Sequence, residues 1–238
     1  MAELPELVLA AAGGIGEVDS AYDAELLLST LLGSVYAHLQ PDRGAAADSF
    51  ATALRAHLAT SAEPVAPVVA AVLDALTGAR SIVDGPQWIE ALGRVRVTGG
   101  YACGDRYGDQ TSYLATYAYE DERVGGPEHG VLVLVDHNLG TAQEVLVVTP
   151  VDESLAALRE GVAGDPDAMT WMAELDPAAV RAAATAYLRA TDLAEQPPPE
   201  SLAANRALAL SRLAALPAPA GATGERSAAV APASAAVA

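Results

Sequence analysis

The sequence predicts an α+β protein, a central antiparallel sheet of about four strands flanked by N-terminal and C-terminal helices, with a disordered C-terminal tail. Three observations carry that reading. Apolar residues recur at helical spacing up to residue 93, the spacing drops from about 3.6 to about 2 at Arg94, and helical spacing returns after residue 150. The organisation that follows is a helical region over 1–93, a sheet region over 94–150, helices packing on the sheet over 151–216, and an Ala- and Pro-rich tail over 217–238.

Leu28, Leu31, Leu32, Val35, Tyr36 and Leu39 define a helix from Asp19 to about Gln40, with Asp19 or Ser20 placed to cap it. Phe50, Leu54 and Leu58 mark a second helix. Pro64 and Pro67 sit where a first helical turn tolerates proline and open a third through Val68, Val69, Val72, Leu73 and Leu76. A short segment from Gln87 to Leu92 carries Trp88. Leu7-Val8-Leu9 followed by Gly13, Gly14 and Gly16 resembles a strand entering a phosphate-cradling turn, but Asp19 stands where the third glycine belongs and more helix follows. Helix, glycine break and capped helix account for the same residues.

Arg94 to Thr98 alternates as a strand that continues towards Cys103, with a kink or bulge at Gly99-Gly100. Thr111 to Glu120 is a second strand with Tyr113, Tyr117 and Tyr119 on one face. Val131 to His137 and Glu144 to Thr149 are the third and fourth, joined by Asn138-Leu139-Gly140, which suits a hairpin turn. The short connections require antiparallel pairing. The third strand is apolar on both faces, so helices should cover the sheet on each side. Further on, Asp152 caps one helix, Asp165 a second with Met169, Trp171, Met172 and Leu175, and Asp176-Pro177 opens a long one; Ser201 to Leu216 is the last. From Pro217 onward there is little to bury.

The charge balance excludes more than it proposes. There are 31 acidic residues against 13 basic ones, all arginine, for a net charge of −18. Such a surface repels nucleic-acid phosphates and anionic lipid. The absence of lysine removes Schiff-base chemistry, a lysine general base and the P-loop lysine. Together with heavy use of Ala, Gly, Val and Arg it looks like the codon bias of a GC-rich bacterial genome. One cysteine, an acidic N-terminal stretch and no long apolar run point to a cytoplasmic protein without a membrane span.

The side chains capable of specific chemistry concentrate between residues 94 and 149. Asp105, Asp109, Asp136 and His137 are the candidate metal ligands, Asp136 and His137 the centre of the set, and a divalent ion held there would activate a water for hydrolysis. His129 and His137 cannot share an ion, because an extended strand would separate them by roughly 25 Å at about 3.3 Å per residue. Cys103 as a nucleophile with His129 or His137 as base lacks any flanking signature. Thr111, Ser112 or Thr116 with His137 and Asp136 is weaker still, since neighbours on a strand point to opposite faces. Tyr107, Tyr113, Tyr117 and Tyr119, with Asp105 and Asp109 of the Gly104–Gln110 loop, offer the mix of apolar area and hydroxyls that protein interfaces favour. The leading expectation is therefore a non-catalytic interaction or accessory protein without a cofactor, binding a basic protein partner through the tyrosine-bearing sheet and the loop. The alternative is a metal-dependent hydrolase built on Asp105, Asp109, Asp136 and His137.

Overall fold

Alternation beginning at Arg94 produces the sheet, described here in a computed structural model. Residues 3–218 apart from 82, 166 and 168 are described, so all but the first two residues of the tail expected over 217–238 fall outside them. Strands β1 (Val95–Asp105), β2 (Gln110–Tyr119), β3 (His129–Asp136) and β4 (Thr141–Val148) form a meander. A fifth strand, β5 (Thr170–Glu174), pairs with the free side of β1, giving the antiparallel order β4-β3-β2-β1-β5. The register of β1 on β2 shifts between Val97 and Gly99, so the expected bulge lies at the glycines.

β5 replaces the helix expected around Met169, Trp171 and Met172, and raises the strand number from four to five. The reason is local. Asp165 accepts from the N–H groups of Asp167 and Thr170 (3.1 and 2.8 Å) and from the Thr170 hydroxyl, closing a turn with the chemistry that would otherwise cap a helix. β5 also satisfies the backbone of β1 along Tyr101–Asp105, which β2 serves only on its other side.

Strand parity decides what covers each face. Ala115, Tyr117, Val131, Val133, Val135, Ala142 and Val145 face inward onto α7 (Pro177–Leu193) and α8 (Glu200–Ala215). Leu114, Leu132 and Val148 face outward onto Val151, Leu155 and Leu158 of α6 (Val151–Ala163), so both faces carry helix as the doubly apolar third strand requires. The α7 cap is the expected one, Asp176 accepting from the Ala178 N–H at 2.8 Å.

The N-terminal elements are α1 (Glu3–Ala11), α2 (Ala21–Tyr36), α3 (Arg43–Thr60) and α4 (Ala66–Leu76), with a short α5 (Glu122–Gly125) in the β2–β3 connection. Leu7, Val8 and Leu9 lie within α1, so they form no strand before the glycines. Ser20 caps α2. No helix among the described residues is long and apolar enough to cross a membrane.

Every fourth residue of α2, Ala21, Glu25, Ser29 and Gly33, is small or polar and buried, and this stripe receives α8. Ser29 donates to the Ala204 carbonyl at 2.8 Å and accepts from the Leu208 N–H at 3.1 Å. A Cβ on Gly33 would stand 2.3 Å from the Ala203 oxygen and 2.6 Å from the Ala204 Cα, both backbone atoms that cannot step aside alone. Gly33→Ala should therefore lower the unfolding free energy by about 1–3 kcal/mol through overpacking. Gly161→Ala, in open space on α6, should raise it by roughly 0.5–1 kcal/mol. Urea titrations of both variants test the opposed signs. A second tie joins α2, α7 and α8: Arg206 Nε donates to Asp192 Oδ1 at 2.9 Å, the Tyr36 hydroxyl donates to the same oxygen at 2.7 Å, and the guanidinium lies 4.6 Å over the Tyr36 ring.

Candidate functional site

The meander brings the β1–β2 and β3–β4 turns and the start of β5 to one end of the sheet, here the tip. The His137 N–H donates to the Asp109 carbonyl at 2.9 Å, and Asn138 Nδ2 donates to Asp109 Oδ1 at 2.9 Å, joining the two turns. On the other flank the Trp171 indole donates to the Asp105 carbonyl at 3.1 Å, and the Arg106 N–H to the Met169 carbonyl at 2.6 Å. Asp105, Asp109, Asp136 and His137 thus belong to one region, as the sequence reading required.

Their side chains are nevertheless committed separately. The Asp105 carboxylate accepts from the backbone N–H groups of Tyr107, Asp109 and Gln110 at 2.7, 3.2 and 2.6 Å. Slight burial works to raise its pKa, and those N–H groups outweigh it and hold the carboxyl below its usual range. Asp136 accepts from the N–H groups of Asn138 and Leu139 at 2.8 and 2.9 Å. His137 points to the inner face, with Nε2 2.9 Å from the Thr111 hydroxyl oxygen and Nδ1 2.7 Å from that of Tyr187 on α7. Among the described residues no three His, Cys, Asp or Glu side chains are placed to hold an ion. The expected metal set of Asp136 and His137 with Asp105 or Asp109 does not assemble among the described residues, because Asp105 and Asp136 serve their own turns, Asp109 is tied to Asn138 and the imidazole serves the core.

The nucleophile readings meet geometric obstacles as well. Cys103 opposes Ser112 on the outer face, whereas His129 and His137 fall on the inner face by strand parity. Burial pushes the Cys103 thiol up, and a hydrogen bond with Ser112 only partly opposes it. Thr111 does meet His137, but it is buried and Asp136 takes no part.

The tyrosines divide. Tyr117 and Tyr119 have no exposed surface and Tyr113 is half-buried beneath α7, so these residues are core and cannot form the expected contact face. Their parity was legible and their cover was not. Tyr107 stands in the tip loop, 73% exposed. With it at the tip are Leu139, 67% exposed, and Trp171, 40% exposed. The same turns carry Asp105, Asp109 and Asp136, with the exposed Arg106 among them.

At the opposite end of β2 and β3 lies a cluster that the sequence reading missed. His129 is fully buried, its ring centroid 5.0, 5.9 and 5.5 Å from those of Tyr22, Tyr117 and Tyr119. Arg212 of α8 donates from Nε to His129 Nε2 at 2.9 Å. Because arginine can only donate, that nitrogen carries a lone pair and Nδ1 bears the proton given to the Pro127 carbonyl at 3.1 Å. Nη2 of Arg212 is paired with Glu25 Oε2 and lies 2.7 Å from the Tyr119 hydroxyl, which itself donates to Glu25 Oε2 at 2.7 Å. Glu25 Oε1 accepts from the Gly93 N–H at 2.7 Å. Arg212 Nη1 and the Tyr117 hydroxyl, both buried, have no protein partner among the described residues. Burial, and then the Arg212 charge, push the His129 pKa down to about 3, so the ring is neutral at any ordinary pH. The signal was present as register: Glu25 continues the Ala21 stripe of α2, and Arg212 lies midway between Leu208 and Leu216 on α8. With no surface exposed, the cluster acts as a clasp between helix and sheet.

Compared with protein-family models, curated proteins and solved structures, the chain matches none.

Proposed function

We propose that the protein is a non-catalytic interaction or accessory protein of the cytoplasm that docks a basic protein partner on the tip of its sheet. The observation that supports this most is that Tyr107, Leu139 and Trp171, exposed and apolar, share the end of the sheet that also carries Asp105, Asp109 and Asp136. A rigid base holds them, since both turns and β5 are tied to one another through backbone and side-chain hydrogen bonds. Apolar contact supplies the affinity, and a net charge of −18 selects and steers a cationic surface.

The test compares three proteins in affinity capture from the source cell: wild type, Tyr107→Ser with Leu139→Ser, and Leu7→Ser on α1, remote from the tip. Both tip side chains are mostly solvent-facing, so the double variant should unfold within about 0.5 kcal/mol of wild type. A basic polypeptide should be retained by wild type and Leu7→Ser, lost from the tip variant, and released by raising the salt concentration. Identical retention by all three proteins would end the proposal.

A further inference from the structure

β5 is the edge of the sheet beyond β1, and among the described residues no strand lies on its other side. Its pairing with β1 settles which backbone groups are free. The Leu175 N–H donates to the Gly100 carbonyl and the Arg106 N–H to the Met169 carbonyl, so with the observed register residues 169, 171, 173 and 175 exchange bonds with β1. Residues 170, 172 and 174 direct their N–H and C=O groups to the open edge. The Thr170 N–H is taken by Asp165 at 2.8 Å, which leaves Met172 and Glu174 as the exposed backbone. Edges of this kind are usually blunted by shortness, charge, proline or a bulge; Thr-Trp-Met-Ala-Glu is short and ends on Glu174 but has no lysine, proline or bulge. The opposite edge is treated differently: Thr191 accepts from the Ala142 N–H at 2.9 Å and Asn205 donates to the Val145 carbonyl at 2.9 Å, so α7 and α8 occupy β4.

Alongside the open edge lies a hollow of about 270 Å³ between β5 and the C-terminal half of α6, lined by Tyr101, Arg159, Val162, Met172 and Glu174. An extended chain that added to β5 would place alternate side chains on the outer face, where this hollow can receive one of them. The start of β5 is also part of the tip, so one end of an added strand would run onto Asp105, Asp109 and Asp136.

From this arrangement we infer that β5 accepts an extended, basic segment of the partner protein as a sixth strand, with one apolar side chain seated between β5 and α6. The inference rests on the docking role proposed for the tip and names how that partner is held. Charge complementarity chooses the occupant. A second copy of this chain would bring another −18 to the edge, whereas an arginine- or lysine-bearing strand neutralises Glu174 and the tip aspartates.

The probe is a phage-displayed library of random dodecapeptides selected on the full chain. Enriched sequences should alternate apolar with basic residues, and synthetic copies should bind with micromolar or better affinity. Met172→Pro should weaken them at least tenfold, because proline removes an edge-facing N–H and leaves the bonds to β1 in place. Independently of how that variant folds, peptides N-methylated at alternate amides should lose at least tenfold on wild type in one methylation register and little in the other. Failure to enrich binders, or affinities indifferent to N-methylation, overturns the inference. Binding lost in Tyr107→Ser with Leu139→Ser but unaffected by N-methylation would uphold the tip and reject strand addition. A wild-type mass of two chains that Met172→Pro halves would assign the edge to a second copy and reject the basic peptide.

Discussion

Arg212→Met should destabilise the protein by about 3–5 kcal/mol, the range for leaving one member of a buried ion pair uncompensated. Three losses coincide in that variant. Glu25 is left with only the Gly93 N–H and the Tyr119 hydroxyl to hold it, His129 Nε2 loses its donor, and Tyr119 loses its cationic neighbour. Against a typical total of about 5–15 kcal/mol, this approaches the limit of folding. The decisive comparison is the double variant Glu25→Leu with Arg212→Met. Because Nη1 is unpaired already, the clasp is not an ideal network, and replacing both charges with apolar groups should restore a substantial part of the loss. Urea denaturation of wild type, both single variants and the double variant closes the cycle. A double variant as unstable as the sum of its singles would show that the charges are independent.

The second large effect is expected in acid. With a native pKa of about 3 against an unfolded value of about 6.5, His129 stays neutral in the folded chain while the unfolded chain takes up a proton. The unfolded state binds more protons throughout that interval, so stability rises with pH there and falls as pH is lowered through it. The slope is about 1.4 kcal/mol per pH unit for one such group. Its full contribution is present above pH 6.5. Tyr22, Tyr117, Tyr119, Glu25 and Arg212 enclose the ring, and Arg212 adds repulsion to any charge placed on it. Denaturation midpoints measured from pH 7 to 4.5 should decline steeply for wild type. For His129→Gln, whose amide oxygen can still accept from Arg212, the decline should be shallower by the contribution of that one group. Parallel curves for the two proteins would refute a buried neutral imidazole.

Much of the sheet was legible because Arg94 to Thr98 alternates with period two and Val131 to His137 is a Val-rich apolar run bounded by turn residues. β5 was not. Thr170 to Glu174 places Trp171, Met172 and Ala173 in succession and shows no alternation, and Asp165 presents the same carboxylate-to-N–H chemistry whether it opens a helix or closes a turn. The tip was partly legible: adjacent hairpins had to bring the 104–110 loop and the 136–138 turn to one end, but which way each carboxylate turns depends on backbone N–H groups that periodicity cannot locate. For Tyr117 and Tyr119 the shared face could be read from spacing, while its cover by helices that begin only at Pro177 and Glu200 could not. Glu25 and Arg212 lie 187 positions apart, and each alone resembles a charged residue on a helix.

That separation has a consequence for biogenesis. Glu25 leaves the ribosome long before the helix carrying Arg212, so throughout synthesis the groove of α2 stands open, with a carboxylate facing apolar neighbours and no counter-ion within reach. Domains generally fold as units, and this one lacks its closing element until α8 has cleared the exit tunnel. At the usual pace of about 5–20 residues per second the nascent chain spends roughly ten to forty seconds in that unfinished condition. The clasp therefore closes only after α8 has been made, and until then the growing polypeptide depends on its own acidity, or on a chaperone, to stay apart from its neighbours.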